Sequence, residues 1–149
     1  LTFTYAGNFN QMEVTAIHTN DLLVGKEDNY FSDREEYFLL ASAPPVKMHI
    51  NAEYATPKLN VNLRANYFGA ITLINYSGLE YTYSAKTTLD ASVGYDITSN
   101  MHLTVGAANL LNTYPDPTDP YETETGGAWD AVQMGFGGTF LFTKLGFKF

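Results

Sequence analysis

The chain has 149 residues, enough for one ordinary domain and too few for two comfortable ones. Its 8 Lys and Arg stand against 16 Asp and Glu, a net charge of −8 that argues against a nucleic-acid partner. Charged residues make up 16% and aromatics 15%, a balance unlike a domain bathed in bulk water, and the lack of cysteine excludes disulfide scaffolds and thiolate metal sites.

Strict alternation of apolar and polar residues predicts six strands in chain order. In the first, Leu1, Phe3, Tyr5 and Phe9 alternate with Thr2, Thr4, Asn8 and Asn10. A long link over roughly residues 19–46 follows, and within it Tyr37 to Ala41 is the longest apolar run of the chain. That run is far short of the roughly 18 residues of a membrane-spanning helix, so a helical membrane protein is excluded. The second strand sets Met48, Ile50, Ala52 and Tyr54 against His49, Asn51 and Glu53, and the tight turn Thr56-Pro57-Lys58 leads into the third. There Leu59, Val61, Leu63, Ala65 and Tyr67 alternate with Asn60, Asn62, Arg64 and Asn66. Its nine residues are about the length of a tilted strand crossing a bilayer.

A second long link covers roughly 69–85. The fourth strand then places Leu89, Ala91, Val93 and Tyr95 against Thr88, Asp90, Ser92 and Asp96. The short turn Thr98-Ser99-Asn100 precedes a fifth strand with Met101, Leu103, Val105 and Ala107 opposite His102, Thr104 and Gly106. After a third long link, roughly 109–131, the last strand puts Leu141, Leu145, Phe147 and Phe149 on one face and Lys144, Gly146 and Lys148 on the other. Short turns on one side and long loops on the other describe an outer-membrane meander. Eleven of the sixteen acids fall in the first and last long links: Asp21, Glu27, Asp28, Asp33, Glu35, Glu36, Asp116, Asp119, Glu122, Glu124 and Asp130.

A soluble eight-stranded barrel shows the same period with its apolar side inward. The polar faces here carry mainly Asn, Thr, Ser and Gly rather than the Lys and Glu of a water-exposed sheet, which suits a hydrated lumen. A cation facing lipid at mid-bilayer costs roughly 2–4 kcal/mol, so Arg64, Lys144 and Lys148 are expected at the lumen or its mouth. Tyr54, Tyr95 and Phe149 fall at the tight-turn level and Tyr67 at the other, as interfacial girdles would. Six strands in lipid leave two edges of unpaired backbone groups, so the sheet is expected to belong to a larger barrel. Cutting extra hairpins at Gly7-Asn8 and Gly137-Gly138 would instead give eight strands and a self-contained barrel.

Little in the chain signals chemistry. His18, His49 and His102 are dispersed, and His49 and His102 fall on wet faces as hydrogen-bonders. His18 and Asp21 near a loop have no companion nucleophile, and no Gly-x-Ser-x-Gly, Gly-x-Gly-x-x-Gly or phosphate-cradling loop occurs. No enzyme and no cofactor are expected. Asp116, Asp119 and Glu122, hinged by Pro115, Pro117 and Pro120, are the densest carboxylates and weak candidates for Ca²⁺; a solvated loop rim is the plainer reading. Tyr114, Tyr121 and Trp129 in the same loop are placed to pack on a ligand or on neighbouring loops.

Ala107 to Asp116, with its Asn109-Leu110-Leu111-Asn112 and Tyr114-Pro115, resembles the segment after the penultimate strand of TonB-dependent outer-membrane receptors. Gln133 to Phe149 resembles their final strand, and Leu1 to Asn10, Arg34-Glu35-Glu36 and Arg64 to Gly69 resemble upstream segments in the same order. The resemblance implies an all-β, antiparallel, up-and-down transmembrane barrel of about 22 strands with an N-terminal plug, of which residues 1–149 would supply the last six strands and no plug. It implies uptake of a scarce solute, such as an iron chelate, cobalamin or an oligosaccharide, across the outer membrane of a Gram-negative bacterium. The implied partners are outer-membrane lipid and lipopolysaccharide, the rest of the barrel and its plug, the barrel-assembly machinery, and an inner-membrane energy-coupling protein reached through the plug. Lumen candidates are Asn62, Arg64, Asn66, Asp90 and Lys144, with Tyr114 and Trp129 as loop candidates. Thr143, Leu145, Phe147 and Phe149 resemble the closing signature by which such barrels dock for assembly, although Lys144 stands where the signature has Gly. A start at Leu1 fits a piece of a longer protein or a mature chain. A free-standing small barrel acting as an adhesin or surface-binding protein is the alternative, and an outer-membrane enzyme trails both.

Overall fold

Alternating residues of this kind pair into a ladder because the period of two lets every strand present one apolar and one polar face. The structure, a computed structural model, describes residues 1–149 except Ser42, Asp130, Ala131 and Val132. Asp130, one of the acids assigned to the last loop, thus lies outside the described residues. The strands are β1 (Thr2–Phe9), β2 (Val46–Ala55), β3 (Leu59–Phe68), β4 (Ile71–Ile74), β5 (Glu80–Tyr83), β6 (Lys86–Thr98), β7 (Met101–Ala108) and β8 (Phe140–Phe147); one helix, α1 (Asp33–Ala41), precedes β2. Six of them form one antiparallel sheet in the order β1-β2-β3-β6-β7-β8, and β4 and β5 form a separate hairpin.

The six predicted strands are the six of the large sheet. β1 runs unbroken through Gly7 and Asn8, and Gly137 and Gly138 precede β8, so neither glycine pair opens a further hairpin. The sheet is open: β1 and β8 are its two edges. Two elements were not predicted, the helix in the first long link and the β4–β5 hairpin in the second. The predicted final strand is also trimmed, for β8 ends at Phe147 and leaves Phe149 beyond the ladder.

Register carries the apolar stripes of all six strands onto one face. Ala52 pairs with Leu63, Leu63 with Ala91, Ala91 with Ala107, and Ala107 with Leu141. Tyr5 faces Ile50, Val61 faces Val93, and Val93 faces Val105 along the same side. Tyr54 and Tyr95 sit on this face at the tight-turn end, and Tyr67 sits on it at the loop end. Leu63, Val93 and Val105 remain 45–51% exposed. An apolar face this broad, left open, is far larger than the patches a water-soluble monomer tolerates.

Ala107 apart, the buried apolar residues described lie away from this face. Ile71, Leu73 and Tyr83 form a cluster with Phe38, Ala41, Tyr81 and Trp129 around it, so the dry interior belongs to α1, the β4–β5 hairpin and the last long link. These three form a cap over the loop end of the sheet.

Candidate functional site

The opposite face of the sheet collects the polar stripes into aligned rows. One row runs Glu53, Asn62, Ser92, Gly106, Phe142 across five strands. The next places Asn51 beside Arg64 and Arg64 beside Asp90. Asn62, Arg64, Asn66, Asp90 and Lys144, the predicted lumen residues, therefore all lie on this face, as do His49 and His102.

Side chains on this face bind one another largely through the carboxylates of Glu53, Asp90 and Asp96. The Asn66 amide donates to Thr88 (3.2 Å) and to Asp90 (2.9 Å), and the backbone N–H of Asn109 donates to the other Asp90 oxygen at 2.9 Å. Asn60 donates to Glu53 at 2.7 Å. His102 bridges Asp96 through Nδ1 (2.6 Å) and Thr104 through Nε2 (3.1 Å), with its imidazole lying against Gly94, where a Cβ would stand 2.8 Å from Nε2. Among the described residues Arg64 forms no hydrogen bond or ion pair. A hollow of about 230 Å³ is bounded by Asn62, Arg64, Asp90, Ser92, Ala108 and Phe142. Three of the predicted residues, Asn62, Arg64 and Asp90, thus meet at one place, and a fourth, Asn66, holds Asp90 in position.

Phe140 and Phe142 also stand on the polar face, stacked with centroids 6.4 Å apart. Sequence reasoning missed them. Extending the alternation back from Lys144 would have found them.

In the cap, Ser32 opens α1 as its N-cap. Its backbone N–H donates to Glu35 at 2.9 Å, the carboxylate half of a capping box, and its hydroxyl donates to the same carboxylate. Those two bonds hold the Glu35 carboxyl below its usual range. The Arg34 guanidinium lies between the rings of Phe38 (4.5 Å) and Tyr76 (4.3 Å) and bonds Glu124 at 2.7 Å, which ties the helix, the hairpin tip and the last link together. Tyr37 donates to Glu80 at 2.6 Å, and that bond raises the phenol above its ordinary value.

The three acids considered for a cation go to separate partners. Asp116 takes Lys86 and Ser84, Asp119 caps the turn at Pro120–Glu122 by accepting from the Tyr121 N–H, and Glu122 accepts from Ser77. Among the described residues no three His, Asp or Glu side chains converge as a metal site would require. Tyr114 and Trp129 stack on each other (5.7 Å, 9°), and Trp129 stacks on Phe136 (5.6 Å, 20°) while donating to the Pro115 carbonyl at 3.2 Å. These stacks form within the single link between β7 and β8 and use Trp129 against both of its ring partners. Of the proposed closing signature, Thr143, Leu145 and Phe147 lie on the apolar face opposite Val105, Leu103 and Met101.

Bonds from Lys86, then from Ser84, hold the Asp116 carboxyl at about 2, below its ordinary 3.8. A depressed carboxyl stabilises the folded cap above its unfolded pKa, and that contribution disappears as pH falls through the folded value. The Asp116 contact is thus expected to persist down to pH of about 4 and to dissolve between there and pH of about 2. A carboxyl-carbon NMR titration checks this, and Lys86→Met should return the midpoint toward 3.8.

No protein-family model matches the chain, and no curated protein matches it in sequence. Solved structures do match. The open form of the ferric-catecholate import receptor Fiu from E. coli K12 gives a TM-score of 0.51 at 22% identity, covering 69% of this chain and 15% of that one. Its closed form gives 0.51 and 22%, covering 69% of this chain and 14% of that one. Fiu is a TonB-dependent receptor. The six-stranded sheet has the fold of a TonB-dependent receptor barrel wall. The ferric enterobactin receptor PfeA from Pseudomonas aeruginosa gives 0.48 at 18% identity, covering 72% of this chain and 16% of that one. The chain spans no more than 16% of the length of these TonB-dependent receptors, and at these identities the likeness is one of fold.

Proposed function

We propose that the chain is the C-terminal barrel wall of a TonB-dependent receptor in the outer membrane of a Gram-negative bacterium, and that the whole protein imports a scarce solute without transforming it. The observation that supports this most is the division of faces. Side chains that are mainly apolar lie open across all six strands on one side, while mainly Asn, Thr, Ser and single charges form rows on the other. Hydrocarbon on the first side and water on the second satisfies both.

In this reading the remaining strands of the barrel satisfy the bare edges of β1 and β8, since unpaired backbone in lipid costs several kcal/mol per group. A plug fills the lumen and couples to the inner-membrane energy source. The cap faces outward among lipopolysaccharide, and Thr143, Leu145, Phe147 and Phe149 dock the chain on the assembly machinery by strand addition.

The natural lack of cysteine makes the test direct. Val93→Cys and Ser92→Cys, adjacent on opposite faces of β6, are to be spin-labelled in lipid bilayers. Label at Val93 should collide with oxygen dissolved in the hydrocarbon, and label at Ser92 with a water-soluble nickel chelate. Equal access of the chelate to both positions would overturn the placement.

A further inference from the structure

We propose that the hollow between β3 and β8 is a subsite for one neutral, polyhydroxylated ring, such as a single pyranose. The inference names a solute class for the proposed transporter and rests on that reading only for the direction from which the ring arrives.

The hollow owes its shape to strand register. Asn62, Ser92, Gly106 and Phe142 are successive partners across β3, β6, β7 and β8. Its floor is Ser92 on β6 and Ala108 on β7, so two neighbouring strands carry only small side chains there, while the space over Gly106 is taken by the Phe142 ring. Because the Phe142 ring reaches from β8 over Gly106 on β7, the trough between it and the β3 side chains spans about two strand spacings, roughly 10 Å. Gly106 has to be glycine for this to exist. A Cβ there would collide with the Phe142 ring and lie 2.8 Å from the Ser92 Cβ and 2.9 Å from the Ala91 carbonyl. Phe142 therefore leans over Gly106 as one wall, still 37% exposed and backed by Phe140.

The facing wall is polar and held in place. Each Asp90 oxygen accepts one bond within the protein, from Asn66 and from the Asn109 N–H, which fixes the carboxylate and leaves lone pairs for a ligand. Arg64, its partner in the ladder, has all its donors free among the described residues, and Asn62 stands beside it. A vicinal diol fits such a wall, because its hydroxyls donate to Asp90 while accepting from Arg64 and Asn62, and the C–H face of its ring lies on Phe142. A carboxylate or phosphate on Arg64 would face the fixed Asp90 charge one strand away, so an anion fits poorly. The volume of about 230 Å³ is under the roughly 300 Å³ at which drug-sized sites begin, which suits one ring rather than a whole chelate.

The test is saturation-transfer NMR on the native protein in detergent, with methyl pyranosides of glucose, galactose, mannose and N-acetylglucosamine as probes and glucuronate and citrate as anionic counterparts. At least one neutral pyranoside should bind saturably, with transfer to its ring C–H protons from aromatic protons. Phe142→Ala should weaken that binding about tenfold, as should Asp90→Asn, and glucuronate should bind less well than its neutral relative. Strand circular dichroism confirms that both variants keep the sheet. Failure of all four pyranosides to bind, preference for glucuronate or citrate, or binding untouched by both substitutions would overturn the proposal. The spin-label experiment reads the faces of the sheet independently, so loss of the subsite and loss of the barrel assignment give different results.

Discussion

Leu63→Arg should prevent stable insertion of the sheet into lipid, with a cost of about 2–4 kcal/mol for a cation at mid-depth on the hydrocarbon side. Leu63 is the fifth of ten residues in β3 and is 45% exposed on the apolar face, between Ala52 and Ala91. Its ladder neighbours, Ala52 and Ala91, offer no charge to neutralise it. Ser92→Arg is the matched control, since Ser92 follows Ala91 at nearly the same depth and faces the other way. The yield of heat-modifiable, bilayer-inserted protein measures both. A large loss for Leu63→Arg beside a near-normal Ser92→Arg is the expected pair, and equal tolerance of the two would remove the lipid from the account.

The second large effect is expected in the cap. Tyr83 is 1% exposed, meets Tyr81 edge-on at 5.0 Å and packs with Ile71 and Leu73. Truncating a buried ring costs about 3–5 kcal/mol through lost burial and the cavity left behind. Because the cap hangs on a separate hairpin, Tyr83→Ala should open the cap and leave the large sheet folded, a local transition rather than a global one. Limited proteolysis should then cut between residues 69 and 139 while strand circular dichroism stays unchanged. Tyr121→Ala, at a ring 92% exposed, should do neither. Simultaneous loss of strand signal in Tyr83→Ala would show that the cap and the sheet fold as one unit.

The large sheet was readable in the sequence because a period of two fixes faces as well as strands. Leu59 to Tyr67 alone set the side on which Arg64 and Asn62 had to stand, and the ladder carried that choice to its neighbours. The cap was not readable by the same means. β4 and β5 have four residues each, too few for a period to declare itself, and Ile71-Thr72-Leu73-Ile74 is nearly apolar throughout. The helix did leave a signal, the Ser32-Asp33-Arg34-Glu35 box, which the search for alternation passed over. The hollow lay out of reach for another reason. Its parts are spread from Asn62 to Phe142 and are brought together only by the pairing of four strands, and its essential residue, Gly106, contributes an absence of atoms.

The β4–β5 hairpin leaves β3 after Phe68 and rejoins at Lys86, whose own ladder partner is Phe68. Entry and exit are therefore immediate neighbours, and the ladder between them is complete without the insert. A segment mounted this way is interchangeable: hairpins of other lengths and sequences can be grafted between the same two residues while the wall beneath keeps its register. Variation in the cap can then accumulate without disturbing the sheet beneath it.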